Sequence, residues 1–178
     1  MSDKTLTRLN KALKIITDPA FLSSEGLGNE TPFHIFDYPA QDEIQVREFV
    51  GNKLVSKITK NHTEIQLLQI NLFKMITDYL KAEGYYDGVI DLQESGDEEA
   101  LMEAFEGVLH SDTIADLIVD QQKDQASNLI FISGVGSCWN MIRLQSLLSI
   151  LQSKLGNIPL VLFFPGTYTE TGLMMFDE

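Results

Sequence analysis

Apolar residues in this chain fall into two kinds of run. Leu129-Ile130-Phe131-Ile132 and residues 158–164 are short, continuous and rich in β-branched and aromatic side chains. Such runs favour strands over helices. A strand apolar on both faces belongs inside a sheet covered by helices on either side. Residues 33–38 and 64–71 predict two further strands, the first opened by Pro32 and closed by Pro39. Between these runs the apolar positions recur at helical spacing. Leu6, Leu9, Leu13 and Ile16 mark a helix over 5–17, stopped before Pro19. Val46, Phe49, Val50, Leu54 and Ile58 mark a second over 42–60, where Gly51 suggests close packing. Phe73, Ile76 and Leu80 mark a third over 72–83, stopped near Gly84. Two more are expected over 98–109 and 112–124, and a last one from about residue 138 to 154, carrying Leu144, Leu147, Leu148, Leu151 and Leu155.

Strands alternating with helices predict an α/β fold with three layers. The sheet is mostly parallel, with four or five strands and right-handed crossovers. Residues 82–125 read as a helical insertion or helical hairpin beside the sheet of a single domain spanning 1–178. Phe21 to Thr31 reads as a loop, and Leu173-Met174-Met175-Phe176 as a short edge strand or docked segment.

Composition changes the picture in one respect, its charge. The chain has 178 residues and a formal net charge of −13. Between Lys81 and Lys123 there is no lysine or arginine, and there are twelve carboxylates. A surface of this sign repels a phosphate backbone and argues against direct nucleic-acid binding. The basic exception is the first helix, where Lys4, Arg8, Lys11 and Lys14 form a stripe of their own. The bland reading of that stripe is a solvated face; the sharper one is a contact for an acidic partner. A single cysteine, Cys138, fits a reducing compartment. With no apolar run long enough to span a bilayer and no signal-peptide pattern, the sequence reads as cytoplasmic and not membrane-bound.

Candidate chemistry gathers where ligands sit in parallel sheets, outside the carboxyl ends of the strands. Asp37, Asn71, Ser133, Gly134, Gly136 and Ser137 all fall there and form a candidate ligand rim. The turn Ser133-Gly134-Val135-Gly136-Ser137 joins a strand to a predicted helix, but it lacks the lysine of a phosphate-cradling loop and has Trp139 where a dinucleotide fingerprint needs glycine. Ser137 and Cys138 would sit at a helix start, where amides lower a thiol pKa. Yet His34, His62 and His110 stand at no diagnostic spacing from them, and no nucleophile elbow is present. No zinc or EF-hand motif occurs. The residues alone therefore predict no catalytic group, no metal and no cofactor. A degenerate nucleotide-binding domain using the turn at Gly134 to Ser137 is the alternative they leave open.

Several ordered blocks carry a resemblance. They are Gly26-Leu27-Gly28-Asn29-Glu30-Thr31-Pro32-Phe33, Ile35-Phe36-Asp37-Tyr38-Pro39, Glu43-Ile44-Gln45-Val46-Arg47, Asn128 through Gly136, and Phe163-Phe164-Pro165-Gly166-Thr167-Tyr168. Together they resemble the BrxB family, the B component of bacteriophage-exclusion (BREX) systems. The resemblance implies a role in anti-phage defence beside a DNA methyltransferase, a large ATPase and the alkaline-phosphatase-like protein PglZ. It implies a non-catalytic adaptor that binds PglZ, and it supplies no catalytic residues. Arg8, Lys11, Lys14, Phe21 and Phe33, on the first helix, the following loop and the first strand, are the expected partner contacts.

Overall fold

The computed structural model describes residues 1–23, 32–169 and 172–174. Four strands form one parallel sheet: β1 (Phe33–Tyr38), β2 (Leu67–Asn71), β3 (Leu129–Ser133) and β4 (Leu160–Pro165), in the order β1-β4-β3-β2. The two continuous apolar runs take the two central places, as burial on both faces requires. Every residue of β3 and β4 is buried. Alternate side chains go to opposite faces. Leu129, Phe131, Val161 and Phe163 join one core; Ile130, Ile132, Leu160, Leu162 and Phe164 join the other. The fold is thus α/β with helices on both sides of the sheet.

The first face is covered by α1 (Asp3–Ile16) and by a helix that runs unbroken from Glu43 to Asn61. A short helix, α2 (Pro19–Leu22), follows α1. The long helix consists of α3 (Glu43–Glu48), a π-helical segment Phe49–Leu54 and α4 (Val55–Asn61). Gly51 lies in the wider π turn, and a Cβ there would meet only Gln69 Nε2 at 3.7 Å. The close packing expected at this glycine is absent. The second face carries α5 (Leu72–Ala82), α6 (Tyr86–Ser95), α7 (Glu98–Val108), α8 (Ser111–Asp124) and α9 (Leu144–Leu155). Of the acidic stretch, α8 buries most, placing Ile114, Ala115, Ile118 and Val119 in the core. In contrast, α6 buries only Val89.

Two further expectations need correction, the second in part. The helix predicted from residue 138 starts at Leu144. Residues 136–138 form a single 3-10 turn, and an irregular segment follows to Arg143. No side chain caps a helix at Gly136, and Trp139, Met141 and Ile142 pack on the core from a loop instead. Of the two readings of the segment at Leu173-Met174, docking holds for Leu173, which packs on the second core, while the edge strand fails, since the segment joins no edge of the main sheet. Its described part forms an antiparallel hairpin of β5 (Thr167–Thr169) and β6 (Gly172–Met174). Met175, Phe176 and the loop expected beyond Ser23, to Thr31, lie outside the described residues. None of the described helices is long and apolar enough to cross a membrane.

One polar cluster fixes α1. Asp42 is buried just before α3, and its carboxylate accepts from Thr5 Oγ1 at 2.6 Å, from the Ser2 N–H at 3.0 Å and from Ser2 Oγ at 3.1 Å. These donors, Thr5 foremost, hold the carboxyl below the usual carboxylate range against the opposing effect of burial. A depressed folded-state pKa gives stability that is complete above the unfolded-chain value and is lost as pH falls through the folded value. Asp42→Ala is expected to cost about 2 kcal/mol at neutral pH. The gap between variant and parent should begin to narrow below about pH 4 and shrink further as pH falls through the depressed folded-state value. Urea melts at both pH values test this, and an undiminished gap in acid would refute the carboxylate's role.

Candidate functional site

The sheet order creates a crevice at one place. The connection leaving β1 covers the first face, whereas those leaving β2 and β3 cover the second. The carboxyl ends of the adjacent parallel strands β1 and β4, where Asp37 pairs with Phe164 and Tyr38 with Pro165, lead apart, β1 into the first-face helices and β4 into the hairpin. A cleft of about 590 Å³ opens there. Its floor is Asp37, Tyr38 and Pro39, one wall is Ser2, Lys4, Thr5 and Arg8 of α1, and the opposite lip is Gly166 and Thr167.

Charge in the cleft is ordered. Arg8 Nη2 donates to Asp37 Oδ1 at 2.5 Å, and its guanidinium lies over the Phe36 ring, 4.9 Å from the centroid. The second oxygen of Asp37 accepts from the Tyr168 N–H at 3.3 Å, so this carboxylate ties α1 to the hairpin. Tyr38 is almost fully buried, and its hydroxyl donates to Glu43. Burial first, and that hydrogen bond second, push the Tyr38 pKa up, so the phenol stays protonated.

The rim expected from sequence divides. Asp37 belongs to the cleft, but Asn71, Ser133, Gly134, Gly136 and Ser137 lie apart from its lining. The turn after β3 is filled by protein. Asn71 Oδ1 accepts from the Lys74 N–H at 3.0 Å, capping α5. It lies where a Cβ on Gly134 would fall, 2.4 Å away. A Cβ on Gly136 would meet Pro165 Cγ at 2.8 Å. Ser133 Oγ donates to the Ile70 carbonyl at 3.3 Å, and Ser137 is exposed. The glycines thus serve close packing at the carboxyl ends of the strands.

The thiol behaves oppositely to the helix-start expectation. Cys138 is buried, and burial pushes its pKa up to about 12. Its Sγ donates to the carbonyls of Gly134 and Val135 at 3.5 Å. It is expected to resist a thiol reagent in the native protein and to react fully once the chain is denatured. Rapid labelling of the native state, followed by mass spectrometry, would contradict this.

Among the expected partner contacts, Lys11 and Lys14 are exposed on α1 and have no ion-pair partner among the described residues. Arg8 is committed to Asp37. Phe21 is half-buried and its ring stacks on His34 with centroids 4.5 Å apart. Phe33 is half-buried against the second core. Burial lowers the His34 pKa, which keeps that ring neutral. Among the described residues no three His, Cys, Asp or Glu side chains gather as a metal site. Sequence reasoning missed the cleft as a unit, although Lys4 and Arg8 one turn apart and Pro165-Gly166 after β4 were its visible signals.

Residues 68–178 match the family described as BREX protein BrxB. A BREX protein BrxB of Bacillus cereus (strain H3081.97) is 33% identical over 173 residues, covering 96% of this chain and 89% of the relative. Another, of Escherichia coli O9:H4 (strain HS), is 35% identical over 166 residues, covering 93% and 81%. No solved structure matches.

Proposed function

From the premise that this chain belongs to the BrxB family of BREX components, we propose that it is a non-catalytic adaptor of anti-phage defence that docks the alkaline-phosphatase-like protein PglZ through α1. The observation that carries this reading is the basic face of that helix. In a protein of net charge −13, Lys4, Arg8, Lys11 and Lys14 gather on one element. The opposite side of that element is anchored by Leu9, Ile16 and the Asp42 cluster. Ile15, 49% exposed, lies beside Lys11 and Lys14 and supplies an apolar anchor among the charges. A rigid cationic face with such an anchor suits an acidic partner surface, since charge steers the encounter and apolar contact prolongs it.

The test is co-purification of PglZ with the double variant Lys11→Glu and Lys14→Glu. Both residues are exposed, so folding is expected to be intact. Loss of PglZ, with weakening of parental binding as salt rises, is the expected result. Full retention of PglZ by the double variant would remove α1 from the interface.

A further inference from the structure

We propose that the cleft between β1 and β4 binds a small phosphorylated molecule of about nucleotide size. The site shares Lys4 and Arg8 with the basic side of α1, but Lys11 and Lys14, which test the docking, are not in its lining, and neither is the turn at Gly134. Three observations point to it. First, the cleft lies outside the carboxyl ends of two adjacent parallel strands, the side on which open α/β folds place ligands. Its volume of about 590 Å³ falls within the range of small-molecule sites.

Second, its charge runs against that of the protein. Lys4 and Arg8, one helical turn apart, both line the cleft. Among the described residues, Asp37 is the only carboxylate in the lining, and both its oxygens are taken, one by Arg8 and one by the Tyr168 N–H. Arg8 keeps most of its N–H donors uncommitted, and the Lys4 ammonium has no partner among the described residues. Gln41 and Thr167 add polar side chains that also lack one there. An anion with several acceptor oxygens satisfies this set, and a fork of guanidinium donors beside an ammonium suits a phosphate.

Third, one of the two cations is held in advance of binding. Arg8 is fixed between Asp37 and the Phe36 ring, and α1 is clamped by Asp42 through Ser2 and Thr5. Little ordering of Arg8 or of the α1 backbone is left to oppose binding.

Calorimetry and thermal melting with pyrophosphate, ATP and citrate, at constant ionic strength, test the assignment on the full chain. Heat and a raised melting temperature are expected with pyrophosphate and ATP. Lys4→Glu, a change at an exposed side chain, should weaken both by about tenfold or more, equivalent to about 1.4 kcal/mol. Lys60→Glu, an exposed change on α4, should leave them as in the parent. Absence of heat and shift with both phosphate probes at millimolar concentration would overturn the site. Binding unchanged by Lys4→Glu would overturn its location, and citrate binding as tightly as pyrophosphate would overturn the phosphate assignment.

Discussion

Replacing Gly134 by alanine is expected to destabilise the protein by about 3 kcal/mol. Gly134 sits at φ +75°, a conformation that L side chains rarely adopt. The backbone alone therefore costs about 1–2 kcal/mol on substitution. The new methyl would also fall 2.4 Å from Asn71 Oδ1 and 2.9 Å from its Cγ. Asn71 cannot swing aside freely, because its oxygen caps α5 at the Lys74 N–H, and losing that cap costs about 1 kcal/mol more. Gly96 provides the comparison. It has almost the same backbone angle, φ +74°, but nothing within 4 Å of an added Cβ. Gly96→Ala should show the backbone cost alone. Paired with Asn71→Ala, the Gly134 variant should cost less than the sum of the two single changes, since the clash and the cap involve one side chain. Chemical denaturation measures all four, and a Gly134→Ala effect no larger than that of Gly96→Ala would dismiss the clash.

The larger effect is expected in the core. Phe163→Ala should cost about 4 kcal/mol, within the range for deleting a fully buried aromatic ring. Phe163 is 1% exposed on central strand β4. Its ring stands 5.3 Å from that of Phe131 in an edge arrangement and 5.9 Å from that of Phe36. Removing it leaves a cavity under the first-face helices, where the backbone of a strand paired on both sides has little freedom to collapse. Phe73, 41% exposed on α5, is the matched control, and Phe73→Ala should stay within about 0.5 kcal/mol. A Phe163 variant that melts within a few degrees of the parent would mean that the first-face core closes over the lost ring, contrary to what the packing around Phe163 implies.

The sequence was most informative where one physical demand dominated. Continuous apolar runs at Leu129 and Leu160 allow only a doubly covered strand, and those strands are central in the fold. The Phe73, Ile76 and Leu80 stripe marked α5 nearly to the residue, but Phe73 is exposed and Leu72 and Met75 take the inward places beside Ile76 and Leu80. The failures arose where tertiary packing overrode local pattern. Trp139, Met141 and Ile142 carry the apolar weight of a helix, but Gly136 must pass within reach of Pro165, and the chain leaves the turn as a loop. Helix α6 gave little signal, because it has Gly88 inside and only Val89 buried. The cleft was illegible as a unit for a topological reason. Its walls come from α1, the end of β1 and the segment after β4, and only the strand order brings them together.

That same order has a bearing on biosynthesis. β1 pairs with β4 and with no other strand of the sheet, so as the nascent chain leaves the ribosome, residues 33–38 emerge long before residues 160–165 exist to receive them. Until then β2 and β3 can zip together, while Phe36 and Tyr38 have no sheet to lie on. The N-terminal portion is therefore the part most exposed to holdase chaperones and proteases during translation, and α1 gains its final seat only when the last strand of the sheet arrives.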